Sequence, residues 1–394
     1  MEKFSSFERV VGNISETEKE QILQEKGERF DDQFFEELKG KEREKTPDEF
    51  KIISLVNEAT NEARQKYGLE NFDIPPENIH VINEEAWPPK EKSVAFYNSM
   101  LQGIAVREQP AKIVFMKKVF HEMLHFKSYN SLQVSTSENP EIDEYRVGLT
   151  VHTRDGRMMY FVNLNEAVTE EMTKIFATKI LDNPMFVEET KQTKDIMTRY
   201  PRTTITGSNE LLFDNDTFYA EVESKKSWGE SFGRLFGVQE KPKNITTESF
   251  TYYQERKILN KLIDKLVERN PEKFQDKEEV FEIFAKGMIT GNILPIGRLI
   301  EKTFGRGTLR KIGELDENIK KQEEFVNSIL NFTTISFTSR TSSFTNTRSC
   351  FTTSKSSFTT SKFFASSSNP RLVIAAKSSI FSSVIFLVFA FAMH

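Results

Sequence analysis

One pentapeptide, His121-Glu122-Met123-Leu124-His125, constrains the fold of this chain more than any other feature. It lies in the segment AKIVFMKKVFHEMLHFKSY, whose apolar spacing predicts a helix. Two imidazoles four residues apart lie about one turn apart on the same helix face, so both can reach one metal ion. Neutral imidazole nitrogens suit zinc, and the intervening carboxylate is placed for a general base beside a metal-bound water. The segment therefore predicts a packed helix that carries two zinc ligands and a base.

A third protein ligand is expected, because a catalytic zinc usually has three. In one class of HExxH proteins this ligand is a His six residues after the second His, with a Gly between them, but this chain has Ser128 and Ser131 at those positions. The alternative is a carboxylate from a second helix. Glu166 is the candidate, since it lies in the first turn of the next predicted helix, and Asn163 or Asn165 is expected to cap that turn.

The pattern around these residues predicts an α+β fold. Strand-like runs (IHVI, SVAFYNSM and LQGIAVRE) occur between residues 78 and 108, and they predict a small mixed or antiparallel sheet on which the HExxH helix packs. Asp155 and Gly156 lie between two β-rich runs and predict a hairpin. After residue 201 the pattern becomes mainly helical, which predicts a helical subdomain.

Two helices have local capping signals at their starts. Thr46 with Glu49 forms a capping-box pattern, and Asp276 with Glu279 forms another. Both pairs predict helices that begin at those residues.

Composition and the pattern of predicted helices and strands together divide the chain into four parts. No Asp or Glu occurs after Glu324, and Ser, Thr and Phe dominate from there on. This composition favours disorder, a shifted reading frame remains an alternative, and the apolar stretch 378–393 leaves a C-terminal membrane anchor open. The predicted parts are a polar helical N-terminal extension (1–45), the domain with the HExxH helix (46–200), a helical C-terminal subdomain (201–330) and a low-complexity tail with an apolar end (331–394).

HEMLH at 121–125 and NEAVTE at 165–170 together resemble the two signatures of the gluzincin, or thermolysin-like, branch of zinc metallopeptidases. The resemblance runs from Ile104 to Thr169. It implies a zincin-like fold, in which a small sheet packs on an HExxH helix and a Glu-bearing helix, followed by a helical subdomain. It also implies zinc as the cofactor, bound by His121, His125 and Glu166, with Glu170 supporting a zinc-bound His by a hydrogen bond.

The activity that the resemblance implies is hydrolysis of peptide bonds in a peptide or protein substrate. Glu122 would be the general base toward a zinc-activated water. An oxyanion stabiliser is expected from a Tyr, His or Arg near the cleft, and the candidates are Tyr145, His152, Arg157 and Tyr160.

Composition argues against several other classes of protein. A single cysteine, Cys350, excludes an intramolecular disulfide and zinc sites built from several cysteines. The net charge of −5 gives no indication of nucleic acid as a partner. The N-terminus has no apolar run typical of a signal peptide, so a cytoplasmic protein is expected. One alternative of another class stays open: a noncatalytic zincin-fold scaffold or interaction protein, tethered to a membrane by its tail.

Overall fold

The structure is a computed structural model that describes residues 6–28, 40–88, 91, 93–137, 140–199, 216–222 and 245–331. The described residues form an α+β fold with small mixed sheets, which confirms the predicted class at that level. Met1–Asn331 form one unit, and the predicted low-complexity tail lies outside the described residues. In the described part of the chain, no helix has the length and apolar character needed to cross a membrane.

The described strands form three small sheets. The largest has the order β1-β5-β6-β7-β8, in which β1 is parallel to β5 and the other pairs are antiparallel. The second has the order β2-β4-β3, and the third pairs β9 with β10. The strands are β1 (Phe7–Val11), β2 (Ile79–Ile82), β3 (Ala95–Asn98), β4 (Gly103–Arg107), β5 (Asn130–Val134), β6 (Ile142–Val147), β7 (Thr150–His152), β8 (Met159–Tyr160), β9 (Thr217–Val222) and β10 (Ile245–Ser249).

The helices flank the sheets and dominate the C-terminal half of the described chain. Those described are α1 (Glu16–Glu28), α2 (Pro47–Lys66), α3 (Lys112–Lys127), α4 (Val162–Ile180), α5 (Val187–Arg199), α6 (Tyr253–Arg269), α7 (Lys277–Thr290), α8 (Leu294–Phe304), α9 (Thr308–Glu314) and α10 (Ile319–Asn331).

The HExxH segment forms helix α3 at the centre of the apolar core. Every residue of α3 from Ile113 to Lys127 is buried, because α2, α4, β3 and β4 all pack against it. A helix that is apolar on most of its surface must be enclosed in this way. One apolar core runs from Ile52 to Val326, so helices before and after residue 200 share it.

The local signals in the sequence are confirmed. The Thr46 side chain accepts a hydrogen bond from the Glu49 backbone N–H, and the Glu49 carboxylate accepts one from the Thr46 backbone N–H. Asp276 caps α7 by accepting from the Glu279 N–H. At the predicted hairpin, β7 and β8 pair antiparallel, and Gly156 has the positive φ of 70° that the turn requires.

The N-terminal extension differs from its prediction as purely helical. Phe7–Val11 form strand β1, which pairs with β5, and helix α1 follows. Phe7 and Val10 are buried against Leu132, so this segment joins the edge of the largest sheet through an apolar cluster of its own. The Glu- and Lys-rich composition of the extension concealed this short amphipathic strand.

Candidate metal site

Helices α3 and α4 bring three potential ligands together. Nε2 of His121 lies 3.2 Å from Nε2 of His125, and Oε2 of Glu166 lies 3.3 Å and 3.4 Å from those two nitrogens. Both imidazoles are buried, and Glu166 is half-buried. The group can therefore hold a metal ion, and it consists of the three residues that were predicted as ligands.

The charges in this group are strongly coupled. Burial opposes a charge on His121, but hydrogen bonds with Glu166 and Glu170 raise its pKa to about 9. Burial likewise opposes a charge on Glu166, but the nearby His125 and a hydrogen bond from His121 hold its pKa well below the usual range. The three side chains thus favour a carboxylate beside a positively charged imidazole. A divalent cation would take the place of that positive charge.

Glu170 lies one helical turn after Glu166 and is fully buried. Its Oε2 lies 2.7 Å from Nδ1 of His121, which is one of the three potential ligands. Oε1 faces the other way and accepts hydrogen bonds from the backbone N–H and the hydroxyl of Thr251. Burial opposes the charge on Glu170, but the ammonium of Lys117 and the hydrogen bond from His121 hold its pKa well below the usual range.

Glu122, the predicted base, is 9% exposed. Its charge contributes to the raised pKa of both His121 and Tyr252, so it lies within electrostatic reach of the group. Among the described residues, no hydrogen bond or ion pair holds its carboxylate.

Comparison with known proteins gives no match to a family model, to a curated protein or to a solved structure. What the site can do is therefore argued from its own geometry.

The four predicted oxyanion stabilisers lie in different surroundings. Nε2 of His152 is 3.4 Å from Oε2 of Glu144, and the charge of His125 acts on that carboxylate, so this pair is near the metal group. Arg157 is highly exposed and pairs with Asp155 in the hairpin. The ring of Tyr145 faces Arg154 with a separation of 5.9 Å, and Tyr160 is half-buried in β8. Of the four, His152 is therefore the one that the described interactions relate to a ligand, through Glu144 and His125.

Tyr252 belongs to the site and was not found from the sequence. Its ring stacks on the His121 imidazole, with centroids 5.6 Å apart and an angle of 11°. The charge of Glu166 and a hydrogen bond to Glu166 raise the pKa of Tyr252 well above its usual value, although 39% of the residue remains exposed. Tyr252 also has a positive φ of 54°, which costs energy for a bulky residue. Glu166 and Tyr252 are far apart in the chain, and no local pattern relates them.

The prediction that Asn163 or Asn165 caps α4 is wrong. The N-cap is Phe161, in a left-handed conformation and without a side-chain cap. The carboxylate of Asp316, between α9 and α10, accepts from the N–H groups of Val162 and Asn163 instead. The side-chain oxygen of Asn165 accepts from the Leu149 N–H at 2.8 Å, which takes it away from the helix start.

Proposed function

We propose that the chain is a zinc-dependent metallopeptidase with a zincin-like fold, in which His121, His125 and Glu166 hold the zinc. The observation that supports this most is the triangle of ligand atoms, whose edges are 3.2, 3.3 and 3.4 Å. Four ligands at typical Zn–N and Zn–O distances form a tetrahedron whose edges are about 3.3 Å long. The three side chains therefore already form one face of such a tetrahedron.

The chemistry of the ligands also favours a catalytic zinc. Two imidazoles and one carboxylate leave the fourth position of a tetrahedral ion open for water or substrate. Calcium and magnesium prefer sites made wholly of oxygen ligands, which this group does not offer. The carboxylate of Glu170 fixes the ring of His121 through Nδ1 and so leaves Nε2 as the ligand atom.

A bound zinc ion would supply Lewis-acid polarisation of the scissile carbonyl and a lowered pKa for its water. Glu122 would accept the proton of the attacking water and then donate it to the leaving amine. Its position next to the first ligand and its lack of a described partner suit both steps. The reaction class is therefore hydrolysis of a peptide bond.

Tyr252 and His152 are the best-placed groups to stabilise the developing oxyanion. The hydroxyl of Tyr252 reaches the Glu166 side of the ligand triangle, and His152 lies beside Glu144 near His125. A neutral tyrosine hydroxyl is a hydrogen-bond donor, and the raised pKa of Tyr252 keeps it neutral. In the proposed enzyme, the substrate carbonyl would replace Glu166 as the partner of this hydroxyl.

Strand β3 is the edge strand that a peptide substrate would meet close to α3. Strand β3 packs on α3 and, within the described residues, pairs only with β4. An extended peptide can add to such an edge through backbone hydrogen bonds. We therefore propose Ala95–Asn98 as the substrate-binding edge.

Metal analysis combined with a peptide-library cleavage assay on the full chain tests the proposal. We expect one zinc per chain in the wild type and in Glu122→Gln, and a loss of hydrolysis of about 10²-fold or more in the variant. Glu58→Gln, at an exposed position of α2, is the matched control and should retain full activity.

Two other results would contradict parts of the proposal. A chain that takes up no zinc even after incubation with the metal would exclude the zinc site. A chain that binds zinc but cleaves no peptide would instead support the noncatalytic scaffold.

A further inference from the structure

A row of alternating basic and acidic side chains joins α3 to α4. Lys117, His121 and His125 are spaced by four residues on one face of α3, and Glu170 and Glu166 have the same spacing on α4. The contacts run in the order Lys117, Glu170, His121, Glu166, His125. The ligand triangle is thus one end of a longer row that begins at Lys117.

Glu170 divides its two oxygens between neighbours of different kinds. Oε2 faces Nδ1 of His121 at 2.7 Å, whereas Oε1 lies 2.6 Å from Nζ of Lys117. Nζ of Lys117 also donates to the Thr251 hydroxyl at 3.3 Å, and that hydroxyl donates to the same Oε1 at 2.9 Å. Lys117 and Thr251 therefore hold the Glu170 carboxylate in one orientation.

The burial of this pair is nearly complete. The side chain of Lys117 is 2% exposed and that of Glu170 is 0% exposed. A carboxylate removed from water is strongly disfavoured without a charged partner, and removal of one member of a buried pair leaves the other uncompensated. Glu122 and Glu166 add further negative charge nearby, which increases the need for a cation.

We propose that Lys117 is a positioning residue for the zinc site, a role that rests on the proposed function. Its ammonium holds Glu170 with one oxygen turned toward Nδ1–H of His121, which fixes the imidazole with Nε2 directed at the metal position. Hydrogen-bond partners of this kind orient metal ligands and strengthen metal binding. Lys117 acts on the metal through Glu170 and does not touch the metal position itself.

The next residue in the chain provides a matched control. Lys118 is also buried, with 8% exposure, but its Nζ lies 3.7 Å from Glu248, and it acts on Glu170 through charge alone, without a direct hydrogen bond or ion pair among the described contacts. Lys117→Met and Lys118→Met each remove one buried ammonium from adjacent positions of the same helix. Only the first breaks the row that leads to His121.

The test measures zinc affinity by chelator competition and the visible spectrum of the Co²⁺-substituted full chain. We expect Glu170→Gln to weaken zinc binding by about 10–100-fold and Lys117→Met by about 10-fold. Because Lys117 acts through Glu170, the double variant should bind zinc no more weakly than Glu170→Gln alone. The Co²⁺ spectrum should change in both single variants, and Lys118→Met should stay close to the wild type in both measurements.

Each outcome decides the inference. If Lys117→Met binds zinc as tightly as the wild type, or if its loss adds fully to that of Glu170→Gln, Lys117 has no positioning role although the zinc site stands. If Lys117→Met does not fold, the double variant, which removes both charges, is compared with Glu170→Gln, and any additional weakening overturns the inference. A wild type without affinity for zinc or Co²⁺ would instead overturn the proposed function, and the inference with it.

Discussion

Helices α3 and α4 both supply residues to the candidate site, but they are held in place differently. Every residue of α3 from Ile113 to Lys127 is buried, whereas α4 is buried along one side and exposes Ile175. Both begin without a side-chain cap of their own, and both receive a carboxylate from far along the chain, Glu189 for α3 and Asp316 for α4. Burial therefore fixes α3 along its length, while α4 depends more on the contacts at its start.

The start of α4 requires a less common backbone conformation and closer packing than the start of α3. Ala111, before α3, has an extended backbone, but Phe161, before α4, has a positive φ of 64°. An added Cβ at Gly313 of α9 would lie 2.8 Å from the Phe161 ring, so a larger residue there would force that ring to move. Glu166 follows directly after the first turn of α4, one turn later than expected from the sequence, and its position thus depends on residues near the end of the described chain.

The largest expected difference between the two helices concerns their packing. Phe120 of α3 is 0% exposed, and its ring stacks on Phe176 of α4 at 5.1 Å. Phe120→Ala should lower the free energy of unfolding by about 3–5 kcal/mol, because it removes a large buried ring and leaves a cavity. Ile175→Ala, at a position of α4 that is 43% exposed, should change it by about 1 kcal/mol or less. Urea denaturation followed by circular dichroism measures both.

Equal losses of unfolding free energy in Phe120→Ala and Ile175→Ala would contradict the proposed difference between α3 and α4. They would mean that the outer side of α4 is covered by a part of the chain or a partner that restores its burial.

A smaller effect, which depends on pH, is expected at the start of α4. Burial raises the pKa of Asp316 to about 6, despite the hydrogen bonds it accepts from Gln322 and from the backbone of Asn163 and Val162. An unfolded Asp has a pKa near 4, so the folded state binds the extra proton between these values. The contribution of Asp316 to stability is therefore fully present below about pH 4 and is lost as the pH rises through about 6.

Asp316→Asn isolates this contribution because the amide does not titrate. The unfolding free energy of the wild type, relative to this variant, should fall by on the order of 2 kcal/mol between about pH 4 and about pH 7. Denaturation curves of both proteins across that range provide the measurement. A difference that stays constant with pH would show that Asp316 is not the titrating group.

The sequence predicted those parts of the fold whose signals are local. The Thr46 and Asp276 caps, the Asp155-Gly156 turn and the helix around HEMLH depend on residues close together in the chain, and all are found. The caps of α3 and α4 were missed because their carboxylates come from α5 and from the segment between α9 and α10. A capping rule that reads neighbouring residues cannot find a partner supplied by tertiary folding.

The candidate site likewise contains residues that local motifs predicted and residues that only the folded chain brings together. The three potential ligands lie in two short motifs, and the structure brings them together as those motifs predicted. Tyr252 could not be found, because only the folded chain places it over His121. Lys117 lay within reach of a sequence argument, since it is four residues before His121 on the same helix face.

The smallest expected effects come from removing the two distant caps at about pH 5, where Asp316 is mostly protonated. Glu189→Ala and Asp316→Ala should each cost about 1 kcal/mol of unfolding free energy, as is typical when a helix start loses its acceptor. Amide hydrogen exchange should distinguish the two variants by which backbone N–H groups exchange faster. Loss of Asp316 should speed exchange at Val162 and Asn163, in the turn before Glu166, whereas loss of Glu189 should speed it at Lys112 and Ile113, about two turns before His121. Exchange that increases along the whole of α3 in Glu189→Ala would contradict the view that burial, and not the cap, holds that helix beyond its first turn.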